Sequence, residues 1–306
     1  MEGLDVRIGS LSLKNPVLLA SGCVGYGEEI GRFIDLSAIG GIVVKGLYMK
    51  PRIGNPPPRI WETPSGMLNS IGLSGIGIHA FIQEKLPLLR ETGATVIVNV
   101  CGETENEYEE VSRVCDATDG IHALELNISC PNIKENGRCP GMNRDATFSL
   151  VSRIRKATKK PLIAKLSPNI TDIASIAQSA EEAGADAVSL INTLLGMAID
   201  IETGETRTAT GMGGLSGPAI RPVAVRMVYQ VARTVSIPVI GMGGISTWRD
   251  AIEFFMAGAG AIQIGTTNFI NPHVSIEILN GIQDYLVSRR QKLADIIGCC
   301  HIGPRR

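Results

Sequence analysis

The sequence is poor in the features that mark several common protein classes. Aromatic residues make up only 4% of it, and the net charge is −1. A near-neutral chain lacks the basic surface that nucleic acid or an anionic membrane would attract. No basic-then-apolar leader opens the chain, and no apolar run reaches the roughly 18 residues of a membrane span. We therefore expect a soluble, cytoplasmic protein that binds neither nucleic acid nor membranes.

The cysteines lack the spacings of disulfide frameworks and metal clusters. There are seven, an odd number without a CxxC pair, which fits reduced thiols. Cys299, Cys300 and His301 resemble half of a metal site, but the sequence offers no second half, so no metal is predicted. An iron–sulfur spacing and a GxGxxG after a strand are also missing, which leaves the chain without an evident NAD site of its own.

What the chain does contain is a large apolar fraction, 44%, cut into short pieces. Eight runs rich in Val and Ile are continuous rather than alternating, which predicts strands buried on both faces. These runs are Val17–Ala20, Gly41–Val44, Thr95–Val100, Ala123–Leu126, Pro161–Leu166, Ala187–Ile191, Ile237–Ile240 and Ala261–Gly265.

Amphipathic stretches lie between these runs and predict helices, with Asp145, Thr171 and Ser246 as N-caps. The clearest are Glu105–Cys115, Ala146–Ala157, Asp172–Ala183, Pro218–Thr234 and Trp248–Met256. Eightfold alternation of strand and helix predicts an α/β fold, a (β/α)8 TIM barrel, as a single domain over residues 1–306. The segment Leu4–Val17, with Gly9-Ser10 at its centre, predicts a short N-terminal hairpin that covers the bottom of the barrel.

Polar residues or glycines follow all eight predicted strands. They are Ser21-Gly22, Lys45-Gly46, Asn99, Asn127 with Cys130, Lys165, Asn192-Thr193, Gly243-Gly244 and Gly265-Thr266. Catalytic groups of such barrels lie at the C-terminal ends of the strands, and a purely structural barrel needs no rim of this composition. The pattern predicts an active site at this end.

Cys130 is the most informative residue of the rim. Pro131 cannot donate to a sheet, so the strand must stop and the thiol must lie on a loop. Amide side chains at Asn127 and Asn132 flank it and could hold a planar polar ligand. The alternative is a small residue buried at a turn.

Glycines and lysines at the rim predict an anionic ligand. Glycine clusters at Gly241–Ile245, Ile264–Thr267 and Gly213–Pro218 predict phosphate binding at the seventh and eighth strands, with plain turns as the alternative. Lys45 and Lys165 interrupt apolar strand ends, where an unpaired ammonium is costly. An anionic ligand, or a cofactor that becomes anionic on reduction, would satisfy them. Ion-paired rim lysines or a Schiff-base lysine are the alternatives.

Several motifs together resemble the class 1 dihydroorotate dehydrogenases. They are Asn127-Ile-Ser-Cys-Pro-Asn132, Asn55-Pro-Pro-Pro-Arg59 followed by Gly66-Met-Leu-Asn-Ser-Ile-Gly-Leu73, Gly214-Leu-Ser-Gly-Pro-Ala219 and Gly241-Met-Gly-Gly244. The resemblance runs in order from about Leu4 to Leu286. The proline-rich run and the motif after it are most similar to the catalytic subunit of subclass 1B, the NAD-linked form. The membrane-bound class 2 has a serine base and an N-terminal extension; this chain has Cys130 and no extension.

The resemblance implies FMN at the barrel mouth and oxidation of dihydroorotate to orotate in de novo pyrimidine synthesis. The implied flavin contacts are Ser21, Lys45, Gly46, Asn99, Asn127, Lys165, Ile191, Gly217, Gly243, Gly244, Gly265 and Thr266. The implied substrate contacts are Lys45, Asn69, Ser70, Ile71, Gly72, Leu73, Asn127, Asn192 and Thr193. Cys130 would take a proton from C5 while hydride leaves C6 for the flavin. Lys165 would stabilise the anionic reduced flavin.

The resemblance also implies partners. Electrons would pass to a separate subunit with FAD and a [2Fe–2S] cluster and then to NAD⁺, in a heterotetramer built on a barrel homodimer. A stand-alone homodimer that uses fumarate or another small acceptor, as in subclass 1A, is the alternative.

Three departures from the family pattern bear on the substrate. The family commonly has Asn where this chain has Gly75, the stretch Glu202–Gly213 is longer, and Cys139 adds a thiol in the segment Ile133–Arg144. A related flavin enzyme acting on uracil or thymine therefore stays open as an alternative. A flavin-free phosphate-binding aldolase or isomerase and a non-catalytic binding barrel are more distant alternatives.

Overall fold

The computed structural model describes residues 3–129 and 140–300. The chain begins with an antiparallel hairpin of β1 (Val6–Ile8) and β2 (Leu11–Leu13), which turns at Gly9 and Ser10 as predicted. Eight parallel strands then form a closed barrel. They are β3 (Val17–Leu19), β4 (Gly41–Leu47), β7 (Val96–Val100), β8 (Ala123–Asn127), β9 (Leu162–Lys165), β10 (Ala187–Leu190), β13 (Val239–Met242) and β14 (Ala261–Ile264).

The barrel closes in the order β10-β13-β14-β3-β4-β7-β8-β9. All eight predicted strands are confirmed, and their ends differ from the prediction by a few residues at most. The TIM-barrel prediction was correct because both faces of each strand are buried, which leaves continuous apolar runs in the sequence.

Helices follow the strands around the outside of the barrel. They are α1 (Ile78–Ala80), α2 (Leu86–Glu91), α3 (Glu105–Asp116), α4 (Arg144–Ala157), α5 (Ile173–Glu182), α6 (Arg221–Ala232), α7 (Trp248–Ala257), α8 (Val274–Arg289) and α9 (Leu293–Ile296). A π-helical segment, Phe81–Lys85, joins α1 to α2, and a 3₁₀ turn, Pro218–Ile220, precedes α6. Among the helices of the described ranges, none combines the length and the apolar character that crossing a bilayer requires.

The predicted N-caps are wrong by one or two residues. The caps are Asn143, Asp172 and Thr247, and each side chain accepts a hydrogen bond from a backbone N–H of the first turn. Each lies within two positions of another residue with capping chemistry, so composition alone does not choose between them.

The bottom of the barrel is closed by an apolar layer. Hairpin residues Ile8, Leu11 and Leu13 pack against inward-facing side chains of the strands, and all are buried. We call the strand residues of this cluster the apolar layer: Leu18, Val43, Ile97, Ala123, Ile163, Ala187, Ile240 and Ala261. The predicted position of the hairpin is therefore confirmed.

A second sheet, which the sequence did not predict, lies beside the other end of the barrel. Its four antiparallel strands, in spatial order, are β11 (Leu194–Met197), β12 (Met212–Ser216), β6 (Gly66–Asn69) and β5 (Ile60–Thr63). The glycines of this sheet make its strands resemble loops and turns in the sequence, because glycine is depleted from most strands. β11 starts just after Thr193 and β6 ends at Asn69, so the sheet borders the predicted site.

Candidate active site

Beyond the apolar layer, the barrel interior becomes polar. The next inward-facing residues, two positions further along five strands, form what we call the polar layer: Asn99, Glu125, Lys165, Ser189 and Gln263. At its centre is the Glu125 carboxylate, which is fully buried. Its Oε1 accepts a hydrogen bond from Asn99 Nδ2 (3.1 Å), and its Oε2 accepts one from Gln263 Nε2 (2.9 Å).

Lys165 joins this layer to the barrel mouth. Its Nζ lies 3.3 Å from Glu125 Oε1 and donates to Ser21 Oγ at 2.9 Å. The ion-paired alternative therefore holds for Lys165, although its partner was not identified from the sequence. The sequence did contain a signal for this partner. Glu125 places a carboxylate inside the apolar run Ala123–Leu126, and a buried charge requires a partner.

Lys45 has a different environment. Its Nζ donates to Ser74 Oγ at 3.1 Å, and in the described part of the chain no carboxylate forms an ion pair with it. Burial lowers the pKa of Lys45, the Arg59 guanidinium lowers it further, and Glu29 acts in the opposite direction. An ammonium that is half-buried and lacks an ion pair is suited to an anionic ligand.

A cluster of glycines forms a tight cradle at the seventh and eighth barrel strands. We call Gly217, Gly243, Gly244, Gly265 and Thr266 the glycine cradle. Gly244 has φ +76°, and a Cβ there would lie 2.8 Å from the Gly217 carbonyl oxygen. Within residues 3–129 and 140–300, the backbone N–H groups of Gly243 and Gly244 have no hydrogen-bond acceptor.

The cradle also contains the start of a short 3₁₀ helix, Thr266–Phe269, whose first N–H groups have no partner within the helix. Thr266 Oγ1 donates to Ser216 Oγ at 2.8 Å, which ties this turn to β12. Free backbone donors on glycine turns are what a phosphate group requires. By contrast, the N-terminus of α7 is already capped by its own side chains, because Thr247 and Asp250 form a capping box.

The loop Asn69–Leu73 is held in place from both sides. Asn69 Nδ2 donates to the Gly214 carbonyl (3.2 Å), and Asn55 Nδ2 donates to Ser70 Oγ (3.0 Å). Gly72 and Leu73 both have positive φ, +71° and +56°. A non-glycine residue with positive φ is uncommon, so this turn is fixed by its surroundings rather than by local preference.

The long stretch after β11 packs on the same loop. Thr210 Oγ1 is hydrogen-bonded to Ser70 Oγ, and Arg207 lies 4.3 Å from the centre of the Trp61 ring. Gly75 forms a β-bridge with Arg52, and a Cβ at Gly75 would lie 3.2 Å from both the Gly46 carbonyl oxygen and the Tyr26 hydroxyl. Thr210 therefore braces the loop, and Gly75 fits a crowded position.

Two predicted asparagines meet through a serine that the sequence reading missed. Ser129 Oγ donates to Asn127 Oδ1 (2.7 Å), and Asn192 Nδ2 donates to Ser129 Oγ. Asn192 Oδ1 also accepts from the backbone N–H of Thr193 at 2.8 Å. These contacts fix the residue that directly precedes Cys130. Cys130 and Cys139 themselves lie outside the described residues.

The remaining predicted residues lie on the same rim. A Cβ at Gly46 would be 3.1 Å from Asn99 Oδ1, and one at Gly243 would be 3.2 Å from Ile191 Cγ1. The sequence reading also missed Cys23, whose Sγ lies near Gly265. Burial raises the pKa of the Cys23 thiol to about 11, and the Lys165 ammonium opposes that rise. The described residues predicted for the site thus lie around one opening.

In chemical terms, the opening combines the glycine cradle, two ammonium groups and amide side chains. Within the described ranges, no group of three or more His, Cys, Asp or Glu side chains is placed to hold a metal ion. The free backbone donors and the crowded glycines fit a phosphate-bearing cofactor, and Lys165 with its unshared protons fits a ring that gains negative charge.

The sequence and the fold are similar to those of known proteins. The family model described as dihydroorotate dehydrogenase matches residues 3–286. A relative from Thermodesulfovibrio yellowstonii, named dihydroorotate dehydrogenase B (NAD(+)), catalytic subunit, is 54% identical over 97% of this chain and 99% of its own. A relative of the same name from Bacteroides thetaiotaomicron is 51% identical over 99% of this chain and 100% of its own.

A solved structure supports the fold. The crystal structure of DHODH from Eimeria tenella in complex with ferulenol superposes with a TM-score of 0.79 and 24% identity, covering 97% of this chain and 88% of that chain. The family model and the relatives, each matched over nearly the whole chain, show more than the fold: the chain belongs to the dihydroorotate dehydrogenase family.

Proposed function

We propose that the chain is the catalytic subunit of a cytoplasmic, FMN-dependent dihydroorotate dehydrogenase that oxidises dihydroorotate to orotate. The observation that carries the proposal is the barrel mouth, where the glycine cradle, Lys45, Lys165 and the linked asparagines lie around one opening. Family membership then selects the reaction among those that such an opening could support.

The FMN phosphate is proposed to bind to the free N–H groups of the glycine cradle. Ser21, Lys45, Gly46, Asn99, Asn127, Lys165 and Ile191 would line the ring. When bound, FMN supplies the two-electron acceptor for the hydride that leaves C6 of the substrate. The ammonium of Lys165 offers a positive charge where a ring that gains an electron pair becomes negative.

The substrate is proposed to lie against the loop Asn69–Leu73 and the side chains of Lys45, Asn127, Asn192 and Thr193. Amides present both donors and acceptors, which match the edge of a pyrimidine ring. Lys45 has no ion pair among the described residues, so it is the group proposed to bind the substrate carboxylate. This contact would distinguish dihydroorotate from dihydrouracil.

Cys130 is proposed as the base that removes the proton from C5. The structure does not describe this residue, but it fixes its neighbour, since Ser129 is held by Asn127 and Asn192. Tyr108 OH donates to the Asn127 backbone carbonyl at 2.7 Å and so fixes the end of β8. A base at this position would be presented by a rigid strand end.

The placement of FMN can be tested with Gly244→Val. The side chain would meet the Gly217 carbonyl and Arg221 in a backbone conformation that favours glycine, so the cradle would have to open. We expect a folded protein that is purified without FMN. The control is Gly204→Val, an exposed turn glycine with positive φ and no atom within 4 Å of its Cβ position. Stoichiometric FMN in Gly244→Val would refute the placement.

The final electron acceptor is proposed to be NAD⁺, reached through a partner subunit with FAD and a [2Fe–2S] cluster in a heterotetramer built on a barrel homodimer. Support comes from the name of the relatives, which specifies NAD(+) and a catalytic subunit. The test is to assay the isolated chain with dihydroorotate and, in turn, NAD⁺, fumarate or an artificial dye. Dye reduction without NAD⁺ reduction is expected. Rapid NAD⁺ reduction by the chain alone would contradict a two-subunit enzyme, and rapid fumarate reduction would favour a stand-alone homodimer.

A further inference from the structure

Glu125 is a charged residue that the proposed reaction does not use directly. It lies on the inner face of β8, fully buried, between an apolar layer below and the barrel mouth above. A buried ion pair is weak evidence for stability, because well-packed apolar residues of similar volume often stabilise a protein as much or more. The carboxylate at this position therefore calls for another explanation.

The contacts of Glu125 fix its carboxylate beside Lys165. Asn99 donates a hydrogen bond to Oε1 and Gln263 donates one to Oε2, which fixes the plane of the carboxylate. The fixed Oε1 lies 3.3 Å from Lys165 Nζ, and Ser21 Oγ accepts from the same Nζ on the other side. At least one of the three ammonium protons has no acceptor in the described part of the chain, which leaves it for a ligand.

We propose that Glu125 is a positioning residue that holds the Lys165 ammonium at the barrel mouth and offsets its charge, and thereby sets how strongly the site favours reduced over oxidised flavin. This inference rests on the proposed binding of FMN. With both residues present, the pair contributes no net charge. Among the described residues, the Cys23 thiol is a further titratable group near the ammonium, and its pKa of about 11 keeps it neutral at pH 7.

The structure also allows an isosteric test. Glu125→Gln would turn one carboxylate oxygen into an NH₂ group, which needs an acceptor. Gln263 Oε1 is buried and has no hydrogen-bond partner among the described residues, so a flip of the Gln263 amide would present that oxygen to the new donor. The variant can therefore keep one hydrogen bond between positions 125 and 263 while it loses the charge.

The prediction is an order of FMN reduction potentials at pH 7. Lys165→Met removes the positive charge at the barrel mouth and should lower the potential, because reduced flavin is the more negative form. Glu125→Gln leaves +1 and should raise it. The double variant restores zero and should return close to wild type. A unit charge acting over about 10 Å at an effective dielectric of about 20 changes an equilibrium constant roughly tenfold.

The measurement is the potential of bound FMN, obtained by equilibration with reference dyes, together with the dissociation constants of oxidised and reduced FMN. Ser189→Ala is the matched control. Ser189 lies in the same polar layer on β10, which pairs with β9, the strand of Lys165. Its side chain is buried, and its hydroxyl has no hydrogen-bond partner within the described ranges. It should leave the potential unchanged. Glu125→Asp keeps the charge, should stay near wild type, and serves if Glu125→Gln fails to fold.

The outcomes separate the two proposals. Opposite shifts in Lys165→Met and Glu125→Gln, with recovery in the double variant, support the inference, since a merely structural role would not reverse the sign. Shifts in the same direction, or a Glu125→Gln potential equal to that of Ser189→Ala, overturn it and leave the proposed function intact. A departure of Glu125→Asp as large as that of Lys165→Met also overturns it. A wild-type protein that binds no FMN overturns the proposed function and the inference together.

Discussion

Two neighbouring layers of the barrel interior have opposite chemistry although the same strands supply both. The apolar layer packs against the N-terminal hairpin, and the polar layer faces the mouth, one inward-facing position further along each strand. The pairs along five strands are Ile97 and Asn99, Ala123 and Glu125, Ile163 and Lys165, Ala187 and Ser189, and Ala261 and Gln263. One step along a strand separates a layer that serves stability from one that serves a ligand.

The energetics favour this division. Each buried Leu, Ile or Val side chain of the apolar layer contributes about 1.5–3 kcal/mol by leaving water. The charged pair of the polar layer gains little net stability, since desolvation offsets its attraction. The cost of burying the charged pair is acceptable only if a bound ligand interacts with the charge. The two layers should therefore respond differently to substitution, and the predictions below test that difference.

The largest expected effect lies at the functional end, at Cys130. A hydroxyl is much harder to ionise than a thiol, so Cys130→Ser should slow flavin reduction by dihydroorotate by about 10²–10⁴-fold near neutral pH, with orotate still bound. In the wild type, the rate should rise with pH toward the ordinary thiol pKa of about 8.5, because the thiolate is the base. Rapid-mixing absorbance at the flavin band gives the rate. Near-normal reduction by Cys130→Ala would exclude the role.

A contrast of Ile97→Ala with Asn99→Ala sharpens the comparison on one strand. Ile97 is fully buried, so its truncation should lower the free energy of unfolding by about 2–5 kcal/mol. The folded molecules should keep wild-type FMN affinity. Asn99→Ala removes a donor from the Glu125 carboxylate and should weaken FMN binding. Urea unfolding and FMN fluorescence titration give the two quantities.

One result would contradict the functional separation of the apolar layer from the polar layer. If Ile97→Ala weakens FMN binding as much as Asn99→Ala does, at a temperature where both are folded, the two layers are not functionally separate.

A smaller effect is expected from Lys45→Met. A charge-assisted hydrogen bond contributes about 1.5–3 kcal/mol, so the KM for dihydroorotate should rise roughly 10- to 100-fold with less change in kcat. Since burial lowers the pKa of Lys45, the wild-type enzyme should lose substrate affinity in alkaline solution below the ordinary lysine pKa of about 10.4. Steady-state assays across pH test both. An unchanged KM for Lys45→Met would remove the carboxylate contact from the proposal.

The smallest effect is expected at Cys23. Because burial raises its pKa to about 11, only about one thiol in a thousand is ionised at pH 8, and the thiolate is the reactive form. Iodoacetamide should label the exposed Cys299 and Cys300 first, with Cys23 left unmodified, as peptide mass spectrometry would show. Early labelling of Cys23 would contradict the raised pKa of its thiol.

The sequence predicted the barrel well and the surrounding structure less well. Continuous apolar runs identify strands buried on both faces, whereas β6 and β12 contain glycines and polar residues that resemble turns. The rim could be predicted because each strand end shows a change from apolar to polar residues. The partner of Lys165 was not predicted, because Glu125 and Lys165 are 40 positions apart and the parallel pairing of β8 with β9 brings them together.

The most direct test of the account is anaerobic mixing of the purified, FMN-loaded chain with dihydroorotate and, separately, with dihydrouracil. The account predicts that dihydroorotate bleaches the flavin absorbance and that dihydrouracil does not, because Lys45 offers an unpaired ammonium to a carboxylate. Bleaching by dihydrouracil but not by dihydroorotate would contradict it and identify an enzyme of pyrimidines without a carboxylate.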